Sequence, residues 1–241
     1  SQVCFYYRTW PSVALAKQLI EDGRIGELVH VRGWMLQDYA CDPTTRLGWR
    51  ADRSQAGAGA LGDLGSHIFD IFRYLAGDAA RVSAVARQTV ARGSGSGEAD
   101  DLTAALLEFE SGVSGVLEAS WALRGHRSDL GFDVIGTDGA IRFGWENANE
   151  LHVLTCDSRS GGFERVLVGP DQPGVGNIVA VAGQGLGYRD AFTIGLGTVA
   201  RAIANGDDAA APSFADGVRA CEFVAGVLDS AKSGSWAVLG Q

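Results

Sequence analysis

Two runs of alternating residues, 102–109 and 113–121, flank the tight turn Glu110-Ser111-Gly112, and this pattern predicts an antiparallel hairpin. In the second run Val113, Gly115, Leu117, Ala119 and Trp121 share one face, because side chains alternate along a strand. Another hairpin is predicted from 132–136 and 140–143, joined by Asp138-Gly139, and residues 151–156 and 163–168 extend the same sheet. Residues 28–37 and 81–91 read as further strands. A succession of hairpins interrupted by helices predicts an α+β fold, with a large, open, predominantly antiparallel sheet and helices on one face.

After Gly62, the residues Leu61, Leu64, Ile68, Ile71, Phe72 and Leu75 recur at helical spacing up to Gly77, which predicts an amphipathic helix. Asp63, His67 and Asp70 stand at i, i+4 and i+7 on it, so they share a face. This is acid/base equipment. An imidazole exchanges protons near neutral pH, and a neighbouring carboxylate orients the ring and stabilises its cation. The bland alternative is a helix histidine that serves only the core or the surface. A metal is not assigned here, because three ligands on one helix do not surround an ion. His30 and His152 fall in predicted strands and read as exposed or structural, while His126, in the segment 123–129 after a strand, could reach a substrate.

Other helices are predicted from Pro11, closed by Gly23, from Phe192, Leu196, Val199 and Ile203, and from Phe214, Val218, Cys221, Ala225 and Leu228. Ser213 with Asp216 resembles a capping box ahead of the last. Residues 38–60 form a long loop carrying Trp49 and Arg50, residues 92–100 a flexible surface connection, and residues 169–187 resist assignment.

At 241 residues with 46% hydrophobic side chains the chain can bury a large core. No apolar run reaches membrane-spanning length and no N-terminal signal is present. The formal charge of -9 lacks any basic cluster, which argues against nucleic acid and anionic membranes and leaves a small neutral or cationic substrate compatible. Cys4, Cys41, Cys156 and Cys221 are far apart without a C-x-x-C pair and read as scattered thiols of a cytoplasmic protein.

Residues 49–77 resemble the signature of the Gfo/Idh/MocA family of NAD(P)-dependent sugar and polyol dehydrogenases. The resemblance rests on Trp49-Arg50, the glycine cluster, and D-x-G-x-H-x-x-D at Asp63, Gly65, His67 and Asp70. Residues 5–33, 100–121 and 212–238 are similar to further family segments, and the glycine triplet of the family is reduced here to Gly57-Ala58-Gly59. The match covers nearly all of this chain but only the second half of a family member. It implies that residues 1–241 are a single C-terminal substrate-binding and oligomerisation domain, with the N-terminal dinucleotide-binding (Rossmann) domain and its Glu-Lys-Pro motif missing; the start at Ser1 agrees. Gly57, Gly59 and Gly62 do fit G-x-G-x-x-G, but the preceding residues 50–55 cannot be the hydrophobic strand that a dinucleotide fingerprint needs.

The resemblance further implies hydride transfer at a sugar or cyclitol hydroxyl, with His67 as general acid/base and Asp63 beside it. Trp49, Arg50, Tyr7, Arg8 and Asp70 are the implied substrate-binding residues. Structural alternatives are a buried tryptophan anchoring the loop at 49–50, and an aromatic edge strand with one solvated arginine at 7–8. NAD or NADP is implied for the full-length protein and no tight cofactor binding for this chain, which alone is expected to be inactive. The implied partners are a sugar- or polyol-like substrate and a homo-oligomer, dimer or tetramer, through the open sheet face. A non-catalytic sugar- or cofactor-sensing regulator and an isolated dimerisation module are the alternatives.

Overall fold

The computed structural model describes residues 2–92, 99–159, 161–172, 175, 178–179, 181–207 and 212–240. Among the described residues nine strands are formed: β1 (Leu28–Leu36), β2 (Ala79–Arg87), β3 (Leu102–Phe109), β4 (Ser114–Ser120), β5 (Asp129–Gly136), β6 (Gly139–Gly144), β7 (Glu150–Thr155), β8 (Glu164–Leu167) and β9 (Ala237–Val238). They hydrogen-bond in the order β8-β7-β6-β5-β1-β4-β3-β2-β9. Of the pairs described, β1 and β4 run parallel while β2–β3, β3–β4, β2–β9, β6–β7 and β7–β8 are antiparallel. The fold is therefore α+β with a large, mostly antiparallel open sheet. The parallel exception follows from connectivity, since β1 reaches β4 only after a helical crossover.

Contacts divide the chain into two compact units, Ser1–Leu28 with Asp133–Val218, and Val29–Phe132 with Arg219–Gln241. In the second unit the helical segment begins with a wide π turn, Leu61–Gly65, and continues as an α-helix, Ser66–Ala76. Two short pieces precede it, a 3-10 turn at Gly48–Ala51 and a single helical turn at Arg53–Ala56. We label the α-helices in chain order: α1 (Pro11–Glu21), α2 (Arg53–Ala56), α3 (Ser66–Ala76), α4 (Tyr188–Asn205) and α5 (Phe214–Ser233). The stripe expected along the π turn and α3 is the core: Leu61, Ile68 and Ile71 are fully buried, and Leu64, Phe72 and Leu75 nearly so. Phe72 lies so close to β1 that a Cβ on Gly33 would meet its ring at 2.8 Å. From α5, Phe223 stacks on Phe69 with ring centroids 4.0 Å apart, and aromatic pairs are worth about 1 kcal/mol beyond their burial. The opposite sheet face is open: Leu107 is buried and its neighbour Leu106 is 52% exposed.

In the first unit, α1 starts at Pro11 and the indole N–H of Trp10 and the hydroxyl of Ser12 both donate to the carbonyl of Ala148. The capping box expected before α5 is formed, with the Ser213 amide donating to Asp216 at 2.7 Å.

Several readings are corrected. Residues 6–9 are a 3-10 turn rather than an edge strand. The hairpin joint is Thr137-Asp138, with Gly139 already inside β6. The connection at 92–100 is not wholly a surface segment: 93–98 lie outside the described residues, but Ala99 and Asp100 are buried. Helices α4 and α5 exist as expected, but Leu196, Ile203, Phe214 and Val218 are exposed, and burial falls instead on Ala191, Ile194, Gly195 and Ala202 in α4 and on Ala220, Phe223 and Val227 in α5.

Candidate active site

Asp63 lies in the π turn and His67 is the second residue of α3. The chain thus passes from π to α geometry between them, and such turns recur at functional sites because they re-aim side chains. The Asp63 carboxylate meets the Arg50 guanidinium at 3.4 Å through Oδ1. The Tyr39 hydroxyl stands 3.5 Å from Oδ2, long for a hydrogen bond. Arg50 in turn lies over the Trp49 ring, 4.8 Å from its centroid. Trp49 is 55% exposed, so the alternative of a buried anchoring tryptophan is overturned. The segment bearing Tyr39 is tied down by Arg92, which donates to the carbonyls of Ala40 and Asp42.

His67 is partly exposed as a residue, yet enough protein surrounds its ring that loss of solvation pushes its pKa down to about 4, while the Asp63 charge works in the opposite direction. The ring is therefore neutral at physiological pH and able to accept a proton. Burial first, and the Asp63 charge second, push the Tyr39 hydroxyl above its ordinary value, so it remains protonated and a donor.

Five residues of the expected set, Trp49, Arg50, Asp63, His67 and Asp70, belong to this unit. Asp70 is 2% exposed and faces the core side of α3. Tyr7 and Arg8 belong to the other unit, where Tyr7 is buried edge-on against Trp145 at 5.1 Å and Arg8 pairs with Asp216 at 3.1 Å. Arg8 is thus a paired and not a solvated arginine. Tyr39 was not expected at the site. It sits in an irregular stretch after β1 with no motif around it, and only the folded loop brings it to Asp63.

The G-x-G-x-x-G match is resolved as structural. It follows α2 instead of a strand, and the amides of Gly59 and Leu61, which a pyrophosphate would need, already donate to the Asp100 carboxylate at 2.7 and 2.8 Å. The described residues there do not fit a dinucleotide.

Residues 13–142 match the sequence model of the GFO/IDH/MocA C-terminal domain. The chain belongs to this family. Among curated relatives, levoglucosan dehydrogenase of Pseudarthrobacter phenanthrenivorans is 35% identical over 255 residues, covering 97% of this chain and 65% of that protein. The NAD(+)-dependent scyllo-inositol 2-dehydrogenase of Bacillus subtilis is 31% identical over 68% of this chain and 45% of its own length. Levoglucosan dehydrogenase in complex with NADH and levoglucosan is similar in structure, with a TM-score of 0.95 at 36% identity, over 100% of this chain and 66% of that one. The chain thus spans about two thirds of the length of these levoglucosan dehydrogenases. These relatives are named as dehydrogenases of levoglucosan and of scyllo-inositol.

Proposed function

We propose that this chain is the substrate-binding and assembly portion of an NAD(P)-dependent oxidoreductase acting on a CH–OH group of a sugar, polyol or related small molecule. The observation that carries the reading is a neutral His67 one helical turn from an Asp63 carboxylate that is itself flanked by Arg50 and Tyr39. A neutral imidazole takes the hydroxyl proton as an alcohol is oxidised, and the Asp63 charge stabilises the imidazolium that results. In the reverse direction the same ring returns the proton. A nicotinamide would supply the hydride chemistry when bound. Arg50 and Trp49 present a guanidinium fork and an exposed aromatic face suited to hydroxyl groups. Asp70 supports the site through packing on the core side of α3.

The test is turnover by the polypeptide as its gene encodes it, with NAD+ and NADP+ against anhydrosugars, inositols and aldoses. Wild type should reduce the nicotinamide with at least one, and His67→Ala should lower kcat by about 10²- to 10⁴-fold. Unaltered kcat in that variant would remove His67 from the chemistry.

We further propose assembly into a homo-oligomer through the open sheet face. On it Trp34, Val116, Leu106 and Val85 lie among the Arg81–Glu108 pair, His30 and Arg32, an apolar centre with charges of both signs around it. Leu106→Asp should shift the mass measured by light scattering toward the monomer. An unchanged mass would exclude this face.

A further inference from the structure

Asp100 is 6% exposed, and its donors come mainly from one short stretch. The amide of Gly59 donates to Oδ1 at 2.7 Å, the amide of Leu61 to Oδ2 at 2.8 Å, and the Thr103 hydroxyl to Oδ2 at 3.2 Å. Between them the amide of Ala60 donates to the main-chain carbonyl of Asp100 at 2.8 Å. A Cβ on Gly59 would lie 1.9 Å from that carbonyl oxygen, so only glycine permits this approach.

The first amides of a helix lack intrahelical partners and form the positive end of its dipole. Usually a neighbouring side chain satisfies them, but Ala60 offers none and no side-chain cap is present at this turn. The carboxylate comes instead from 41 residues away, at the entrance to β3. One turn further on, the Asp63 amide bonds the Gly59 carbonyl at 3.0 Å, and His67 follows on the next turn. Whatever fixes Gly59–Leu61 therefore fixes the height and rotation of both side chains.

We propose that Asp100 is a positioning residue: by clamping the start of this helical segment to β3 it sets where Asp63 and His67 stand relative to the substrate hydroxyl. This rests on the roles assigned to those two residues above. The neighbouring Asp101 provides a matched contrast. It is 1% exposed and equally well bonded, accepting from the Thr89 amide and hydroxyl at 2.7 Å each and from the Val90 amide at 2.9 Å, but its carboxylate secures the stretch after β2 and not the helix start.

The experiment compares Asp100→Asn, Gly59→Ala and Asp101→Asn in the polypeptide as its gene encodes it, assayed well below each variant's melting temperature. Asp100→Asn and Gly59→Ala should lower kcat about 10- to 100-fold with KM within about threefold, because sub-ångström to ångström misplacement acts on the reacting geometry. Asp101→Asn should lower the melting temperature comparably and keep kcat within about threefold. Equal kcat losses in Asp100→Asn and Asp101→Asn, or no loss in the former, would overturn the proposal; if Asp100→Asn does not fold, Gly59→Ala decides by the same criterion. Amide hydrogen exchange supplies a readout independent of turnover. Gly59 and Leu61 should exchange faster in Asp100→Asn and not in Asp101→Asn, and unchanged exchange would also overturn the clamp. A protein whose amides respond in this way but which oxidises no alcohol would count against the proposed function and not against the clamp.

Discussion

Helices α3 and α4 both carry apolar residues at spacings of three and four, yet they bury opposite kinds of face. On α3 the stripe is the core, with Ile68, Ile71, Phe72 and Leu75 at 2% exposure or less. On α4 Leu196 is 65% and Ile203 76% exposed, and the buried side is made of Ala191, Ile194, Gly195 and Ala202. The difference is contrast. Around α3 the polar residues Ser66, His67, Arg73 and Tyr74 leave a single apolar arc, whereas α4 carries small and apolar residues all round. Spacing then fixes the helix but not its orientation, because small residues allow a close approach that larger ones on the other side do not.

The contrast can be broken first at the core. Phe72→Ala should destabilise its unit by about 3–5 kcal/mol, the usual cost of deleting a buried aromatic ring, measured by denaturant unfolding. A loss below about 1 kcal/mol would mean that α3 is not held as described.

Acid sharpens it next, since α3 carries His67 and α4 has no histidine. Burial lowers the folded-state pKa of His67 to about 4 against 6.5 for the free side chain. Between those values the unfolded chain binds the proton more readily, so the contribution is fully present above about pH 6.5 and is lost as pH falls toward 4. Wild type should therefore lose stability relative to His67→Gln over that window. Parallel melting curves for the two proteins would contradict the burial of the ring.

The smallest effect is expected on α4. Leu196→Ser and Ile203→Ser should each change stability by no more than about 0.5 kcal/mol, as exposed substitutions do. A loss of several kcal/mol in the assembled protein would show that this surface is covered there.

The sequence alone determined the elements whose cause is local. The hairpin β3–β4 follows from alternation and a glycine turn, α1 from Pro11, and the start of α5 from the Ser213/Asp216 box; each involves residues within a few positions of one another. It also brought Asp63 and His67 together, because one helical turn separates them. Tertiary structure alone decided the rest. Tyr39 reaches Asp63 across 24 positions and Asp100 reaches Gly59 across 41, through a loop and a strand entrance that carry no periodic signal. The faces of α4 and α5 were settled by which neighbours could approach. Local pattern fixes backbone geometry within a few residues, whereas burial and long-range polar contacts depend on every packed partner at once.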